Sequence, residues 1–240
     1  VVQDIVKHTA GLGFITNVKV TGTDEATELD AMDADRTVIL HATLHNTVAD
    51  FKGEFGLGNL GFLAGVTALS NYQEDTASVE VVSRERNGVQ MPDHLMFKDA
   101  DGNTDQYRFM SKEIIEQTLQ TVKFKGASWD VTFEPSMASI ARMKLQSAAH
   151  AEEPTFNVTT TDSNLVFSFG DASTHAGEFV FQHEIGSTLA HTWSWPVAQV
   201  QAVLNLEGEV EMSISDQGAM QISIDSGMAK YDYILPAQSK

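Results

Sequence analysis

The second half of this 240-residue chain repeats the plan of the first. Apolar residues at helical spacing begin near Val2 and again near Asn59. In the second half they begin near Pro135 and Pro196, at almost the same separation. Between and after these helices lie runs of alternating apolar and polar residues, the period of half-buried strands. Two copies of one unit fused in tandem predict pseudo-symmetry, and pseudo-symmetric sheets are commonly parts of a larger closed assembly. The question therefore becomes what such an assembly encloses.

In detail, the pattern predicts a helix from Val2, where Val2, Ile5, Val6 and Thr9 share a stripe opposite Gln3, Asp4 and Lys7. Strands follow over 14–22, around 28–32, over 37–45 and over 51–55. The second helix covers 59–69, with Gly61, Gly65 and Ala68 forming a side small enough for close helix packing. Hairpin strands over 79–86, 94–98 and 105–110 are joined by Asn87-Gly88 and Asp101-Gly102 turns. The stretch 111–128 has no clean period and reads as the crossover between a first domain, 1–110, and a second, 129–240. A strand over 129–133 leads through Pro135, which suits a first helical turn, into a helix. Its expected apolar stripe is Met137, Ile140, Ala141, Leu145 and Ala148, with Arg142 opposite and Lys144 beside the stripe. Strands over 156–161, 165–170, 178–182 and 190–195, a fourth helix over 196–206, and strands over 209–215, 220–225 and 230–235 complete the chain. Four short helices against roughly sixteen strands make the fold class α+β, with helices on one face of antiparallel sheets.

Charge and composition narrow the function. With 15 Lys and Arg against 33 Asp and Glu, the net charge is −18, unlike the basic surface of a generic nucleic-acid binder. That total leaves room for a few cations gathered on one face. There is no cysteine, so disulfides and thiolate zinc sites are excluded. No apolar run approaches the roughly 18 residues of a membrane span, and no signal peptide is visible, although the initiator Met is absent.

Three motifs look like chemistry and are set aside. Gly56-Leu57-Gly58-Asn59-Leu60-Gly61 fits a dinucleotide fingerprint, but that site needs a parallel βαβ unit, and a hairpin pattern follows instead. Asp99, Asp101, Asn103 and Asp105 resemble a calcium loop, yet Thr104 and Met110 stand where Gly and Glu are required. His41 and His45 lie about 13 Å apart on a strand, too far to share a metal; His183-Glu184 with His191 lacks zinc-protease spacing. No nucleophile elbow or triad order is found, so neither an enzyme, a metal nor a cofactor is expected.

Two features remain. Lys7 and Arg142 occupy polar faces of the first helix in each half, with Lys144 nearby. The tail Lys230-Tyr231-Asp232-Tyr233-Ile234-Leu235-Pro236 either completes a core or lines an apolar groove able to dock a peptide.

At this point the chain resembles a DNA sliding clamp, nearest the trimeric phage type, whose fold is shared with proliferating cell nuclear antigen (PCNA). Phe51-Lys52-Gly53-Glu54-Phe55 leading into Asn59-Leu60-Gly61-Phe62-Leu63-Ala64-Gly65 is similar to a clamp's strand and second helix. The stretch from Trp129 to Leu145, Arg142 included, resembles the opening of the second clamp domain. Tyr233-Ile234-Leu235-Pro236 resembles the tyrosine-to-proline ending beside the partner pocket. The resemblance implies a homotrimeric ring with helices inside and sheets outside, encircling double-stranded DNA and tethering a DNA polymerase. It implies loading by a clamp loader ATPase, in the cytoplasm of an infected bacterial cell if the source is a phage. Lys7, Arg142 and Lys144 would face the DNA, with Lys123 and Lys125 of the crossover as further cations. Tyr233, Leu235 and Pro236 would form the peptide pocket. The rival readings are a β-rich virion or scaffold protein and a nucleotide-dependent enzyme built on the glycine turn at 56–61.

Overall fold

Alternation in the sequence becomes alternation in burial. In the computed structural model, which describes residues 1–86, 88–119, 124, 126–171, 173 and 175–238, strand β1 (Val18–Gly22) buries every second residue. Strand β2 (Thr27–Met32) does the same. The chain divides into two units: Val1–Val122 with Ser226–Tyr231, and Lys123–Asp225 with Asp232–Lys240.

The first unit opens on helix α1 (Val2–His8) and continues through β1, β2, β3 (Ile39–Leu44), β4 (Gly53–Leu57) and helix α2 (Leu60–Thr67). It then runs through β5 (Ser78–Arg86), β6 (Val89–Lys98), β7 (Thr104–Arg108) and helix α3 (Lys112–Thr118). Four strands stand in the order β4-β1-β2-β3, and a separate three-stranded sheet has the order β5-β6-β7, all antiparallel. Phe51, Phe55 and Phe109 meet at ring-centroid distances of 4.5–6.2 Å and fill the centre beside Val20 and Leu40.

The second unit contains β8 (Val131–Phe133), α4 (Met137–Ala149), β9 (Thr155–Thr161), β10 (Asn164–Phe169), β11 (Gly177–Gln182) and β12 (Trp193–Pro196). Helix α5 (Val197–Leu204), β13 (Glu209–Ser215), β14 (Ala219–Asp225) and β15 (Ala229–Pro236) follow. One sheet has the order β11-β10-β9-β12; a second run has β15-β14-β13-β8. Phe167 stacks on Phe181 at 4.2 Å, beside the fully buried Trp195 and Phe156. Strand β15 divides between the units, counting with the first through Tyr231 and with the second from Asp232.

Several expectations are corrected. The strand expected over 14–22 keeps only its second part, because Ala10–Leu12 form a 3-10 turn closed by Gly13 at φ 82°. The strand expected over 94–98 begins at Val89 and includes Pro92. Proline fits because β7 pairs with β6 only from His94 onward, and a bulge at Val82/Ser83 lies opposite. The crossover contains α3, whose one buried residue, Ile115, gives no periodic signal. Lys123 and Lys125 lie outside the described residues. In α2 the small face does not pack: Gly61 and Gly65 are exposed with open space above them, while Leu60, Leu63 and Val66 are buried.

Helix α4 departs most. Its buried residues are Met143 and Ser147, with Ile140 partly covered; Met137 is 81% exposed and Leu145 73%. The expected stripe faces solvent. The Ser147 hydroxyl accepts a hydrogen bond from Gln201 of α5, and His150 stacks on Phe169 at 5.3 Å, which fixes the rotation. Ser136 caps the helix, its hydroxyl accepting from the Ser139 amide.

The Gly56-Leu57-Gly58 motif also finds its reason. Strand β4 pairs antiparallel with β1, so the turn does not belong to a parallel βαβ unit. Asn59 adopts φ 52°, which asparagine tolerates. A Cβ at Gly56 would sit 2.7–2.9 Å from three atoms of the fully buried Ile115 side chain. Gly56→Ala is therefore expected to lift α3 and destabilise the protein by about 1–3 kcal/mol. Thermal unfolding measures it, and an unchanged midpoint would contradict the packing.

Candidate nucleic-acid interface

The helices bring few charges to their surfaces. Helices α2 and α5 contain no charged residue. Helix α1 carries Asp4, Lys7 and His8. Of these, His8 is buried, stacked on Tyr231 at 4.3 Å. Asp4 is turned inward, accepting hydrogen bonds from the Tyr231 hydroxyl (2.8 Å) and the Ser226 hydroxyl (3.0 Å). Lys7 is exposed. Helix α4 carries Arg142 and Lys144, both exposed, and it remains helical through Lys144. The structure thus places all three sequence-derived cations on helices and at solvent, Lys7 in the first unit and the other two in the second.

Many of the remaining cations are held against carboxylates. Lys19 lies 3.1 Å from Glu54, and Lys112 also bonds Glu54; together they keep its carboxyl below the usual range. Lys52 pairs with Asp24 at 2.6 Å. The buried Asp93 carboxylate takes a hydrogen bond with His94 (2.9 Å) and one from Arg108 (3.0 Å), with Arg84 at 3.9 Å. The His94 bond leads in holding Asp93 below its ordinary value. These groups brace β4, β6 and α3.

The calcium-like loop is closed by its own side chains. Asp99 is buried and accepts from the side-chain amides of Asn71 and Asn103, each at 2.8 Å, and from the Asn103 backbone amide. Asp105 accepts from the Tyr72 hydroxyl at 2.8 Å. A carboxylate saturated by neutral donors serves the turn, and among the described residues no group of three or more His, Asp or Glu is arranged to hold a metal.

The tail is mostly core. Tyr233 and Leu235 have no exposed surface, so their side chains present nothing to a ligand; Pro236 is exposed. The Leu235 carbonyl accepts from the Trp195 indole at 2.9 Å, and the Ala237 and Gln238 amides donate to Gly218 and Ser194. These bonds fix the strand by its backbone and bury alternate and adjacent side chains alike. Sequence reasoning missed two clefts in the first unit. One, of about 600 Å³, is lined by Val1, Phe51, Tyr72, Val79 and Phe97 among others. Another, of about 280 Å³, lies between Val89, Met91, Pro92, Met110 and α3. Their walls come from segments distant in sequence, so no local motif marks them.

No protein-family model and no curated protein matches the sequence. Solved structures do. The chain is similar to A. fulgidus PCNA in its structure with the C-terminal region of FEN-1, at 9% identity and TM-score 0.73, covering 100% of this chain and 95% of that one. It is similar to PCNA from Thermococcus kodakaraensis, at 12% identity and TM-score 0.71, covering 99% and 97%. It is also similar to a chain of the PCNA2-PCNA3 complex from Sulfolobus tokodaii, at 9% identity and TM-score 0.67, covering 100% and 97%. At such identities the likeness is one of fold, and the fold is that of PCNA.

Proposed function

We propose that this chain is a sliding clamp, a processivity factor that closes as a homotrimeric ring around duplex DNA and tethers a replicative polymerase. The observation that carries the reading is the match to PCNA over 99–100% of this chain and 95–97% of those chains. A fold alone does not assign a function, and three further features support this one. The unit is repeated within the chain, as a ring of pseudo-equivalent domains requires. Strands β7 and β11 end their sheets with outer edges that no described strand pairs, ready to join neighbouring copies edge to edge. Exposed cations sit on helices in both units, while the −18 total keeps the rest of the surface acidic.

Such a ring holds DNA by enclosure, with weak, sequence-independent contacts from Lys7, Arg142 and Lys144 to phosphates. It performs no chemistry. A clamp loader ATPase opens one interface, and loader and polymerase each dock a short terminal peptide on the surface around Pro236. In the phage setting implied by the sequence resemblance, the ring works in the cytoplasm of the infected cell.

Light scattering is expected to give a mass near three times 26.2 kDa. Particle images should show a central hole wide enough for a duplex. A stable monomer at high concentration, or a compact oligomer without a hole, would end the proposal.

A further inference from the structure

Element for element the two units repeat one another, and β8 stands outside the repeat. The run α1-β1-β2-β3-β4-α2-β5-β6-β7 matches α4-β9-β10-β11-β12-α5-β13-β14-β15. The sheet orders agree as well: β4-β1-β2-β3 against β12-β9-β10-β11, and β5-β6-β7 against β13-β14-β15. Strand β8 has no counterpart among the described residues of the first unit. In the second it pairs antiparallel with the outer edge of β13, Phe133 opposite Met212 and Val131 opposite Ile214. Through Glu134, Pro135 and Ser136 it then enters α4.

What β8 adjoins in one unit lies bare in the other. From Met212 to Ser215 β13 is buried throughout, and Met212 and Ile214 have no exposed surface. On β5, the matching strand, no residue from 78 to 85 is buried, and Val79 is 43% exposed. Yet Val79 and Val81 stand opposite the buried Phe97 and Leu95 of β6, and so share the face that turns to the core. These four line the cleft of about 600 Å³, which Val1 also lines where α1 starts. The outer edge of β5 carries backbone donors and acceptors that no described strand takes up. An apolar cleft beside such an edge suits an extended chain that adds as a strand. Backbone pairing then gives affinity, and alternate side chains enter the cleft.

We propose that β5 is the seat of a further strand, the first unit's counterpart of β8, formed by polypeptide continuous with the start of α1. It pairs antiparallel with β5, and its alternate residues are apolar. They cover Val79 and Val81 as Phe133 and Val131 adjoin Met212 and Ile214. Three residues suffice for this in the second unit. The seat belongs to the first unit alone and does not depend on ring closure.

The test joins a copy of residues 129–135 to the amino end of the 240-residue protein, so that Val1 takes the place Ser136 holds before α4. Hydrogen exchange at the outward amides of β5 should slow about tenfold or more. The melting midpoint should rise by about 4 °C. Val131→Asp with Phe133→Asp, made in the copy alone, should give neither effect, and Val79→Asp in the extended protein should cancel both. Exchange of β5 that is as fast with the copy as without it would overturn the proposal, as would equal protection from the aspartate copy. So would slow exchange in the unextended protein that is lost on dilution, because a second copy of the chain then holds the edge. The two readings fail separately: an empty seat leaves the clamp untouched, and a monomer without a hole leaves the seat standing.

Discussion

Replacing Tyr233 with alanine is expected to cost about 3–5 kcal/mol of folding stability, the loss typical of a large aromatic removed from a sealed core. Tyr233 has no exposed surface. It lies in β15 between Asp232 and Ile234, in a strand anchored by the Trp195 indole on the Leu235 carbonyl. The cavity left behind cannot fill from solvent without exposing that strand. Against a total stability of about 5–15 kcal/mol, the change takes a large share. Urea unfolding should show a lower midpoint at unchanged slope. The affinity of the folded fraction for a polymerase-derived peptide should stay at the native level, because a buried ring makes no contact with a ligand. A loss below about 1 kcal/mol, or peptide affinity lost at native stability, would return Tyr233 to the pocket.

Gly22→Ala is expected to be at least as damaging, at about 3 kcal/mol or more. Gly22 closes β1 opposite Gly53 of β4 and Thr27 of β2. A Cβ there would lie 1.5 Å from the Phe51 carbonyl oxygen and 2.6 Å from its carbon. The obstructing atoms are backbone, so no rotamer change relieves them. Strands β1 and β4 must part, or Phe51 must leave its place against Phe55 and Phe109. Circular dichroism melting and soluble yield report the outcome. A variant with native yield and a midpoint within a degree or two (a shift worth about 0.5 kcal/mol) would show that the loop after His45 can move aside.

The sequence made much of the fold legible where one face of a strand is buried and the other wet. Strands β1, β2 and β3 follow their alternation, and β13 begins and ends where the pattern does. Local pattern loses its meaning where it is short or two-valued. Helix α3 offers a single buried residue. Helix α4 has two possible apolar sides, and the richer one, through Met137 and Leu145, is the one left in solvent. Its rotation depends on Gln201 and Phe169, which lie far along the chain. The tail's pattern suits either core or groove; since β15 buries Tyr231, Tyr233, Ile234 and Leu235, period gives no side to choose, and only the fold decides. Close approaches such as Ile115 over Gly56 and Phe51 over Gly22 are equally long-range, so those glycines carry no local signature.

Of the candidate site, the cations were legible because a charged residue on a helix's polar side goes to water. Lys7, Arg142 and Lys144 all do. That Met137 and Leu145 lie at solvent beside them was not, because it depends on which face of α4 is covered.

The ties from α1 to Ser226 and Tyr231 set a timetable for biosynthesis. Domains generally fold as they emerge from the ribosome, N-terminal first, at about 5–20 residues per second. Here the first unit lacks its last segment until Ser226 and Tyr231, 222 and 227 residues beyond Asp4, have left the ribosome. Until then Asp4 and His8 wait without their native neighbours. A nascent chain stalled before Ser226 should therefore remain protease-sensitive in α1, and a chaperone that shields that stretch can act throughout the synthesis of the residues between.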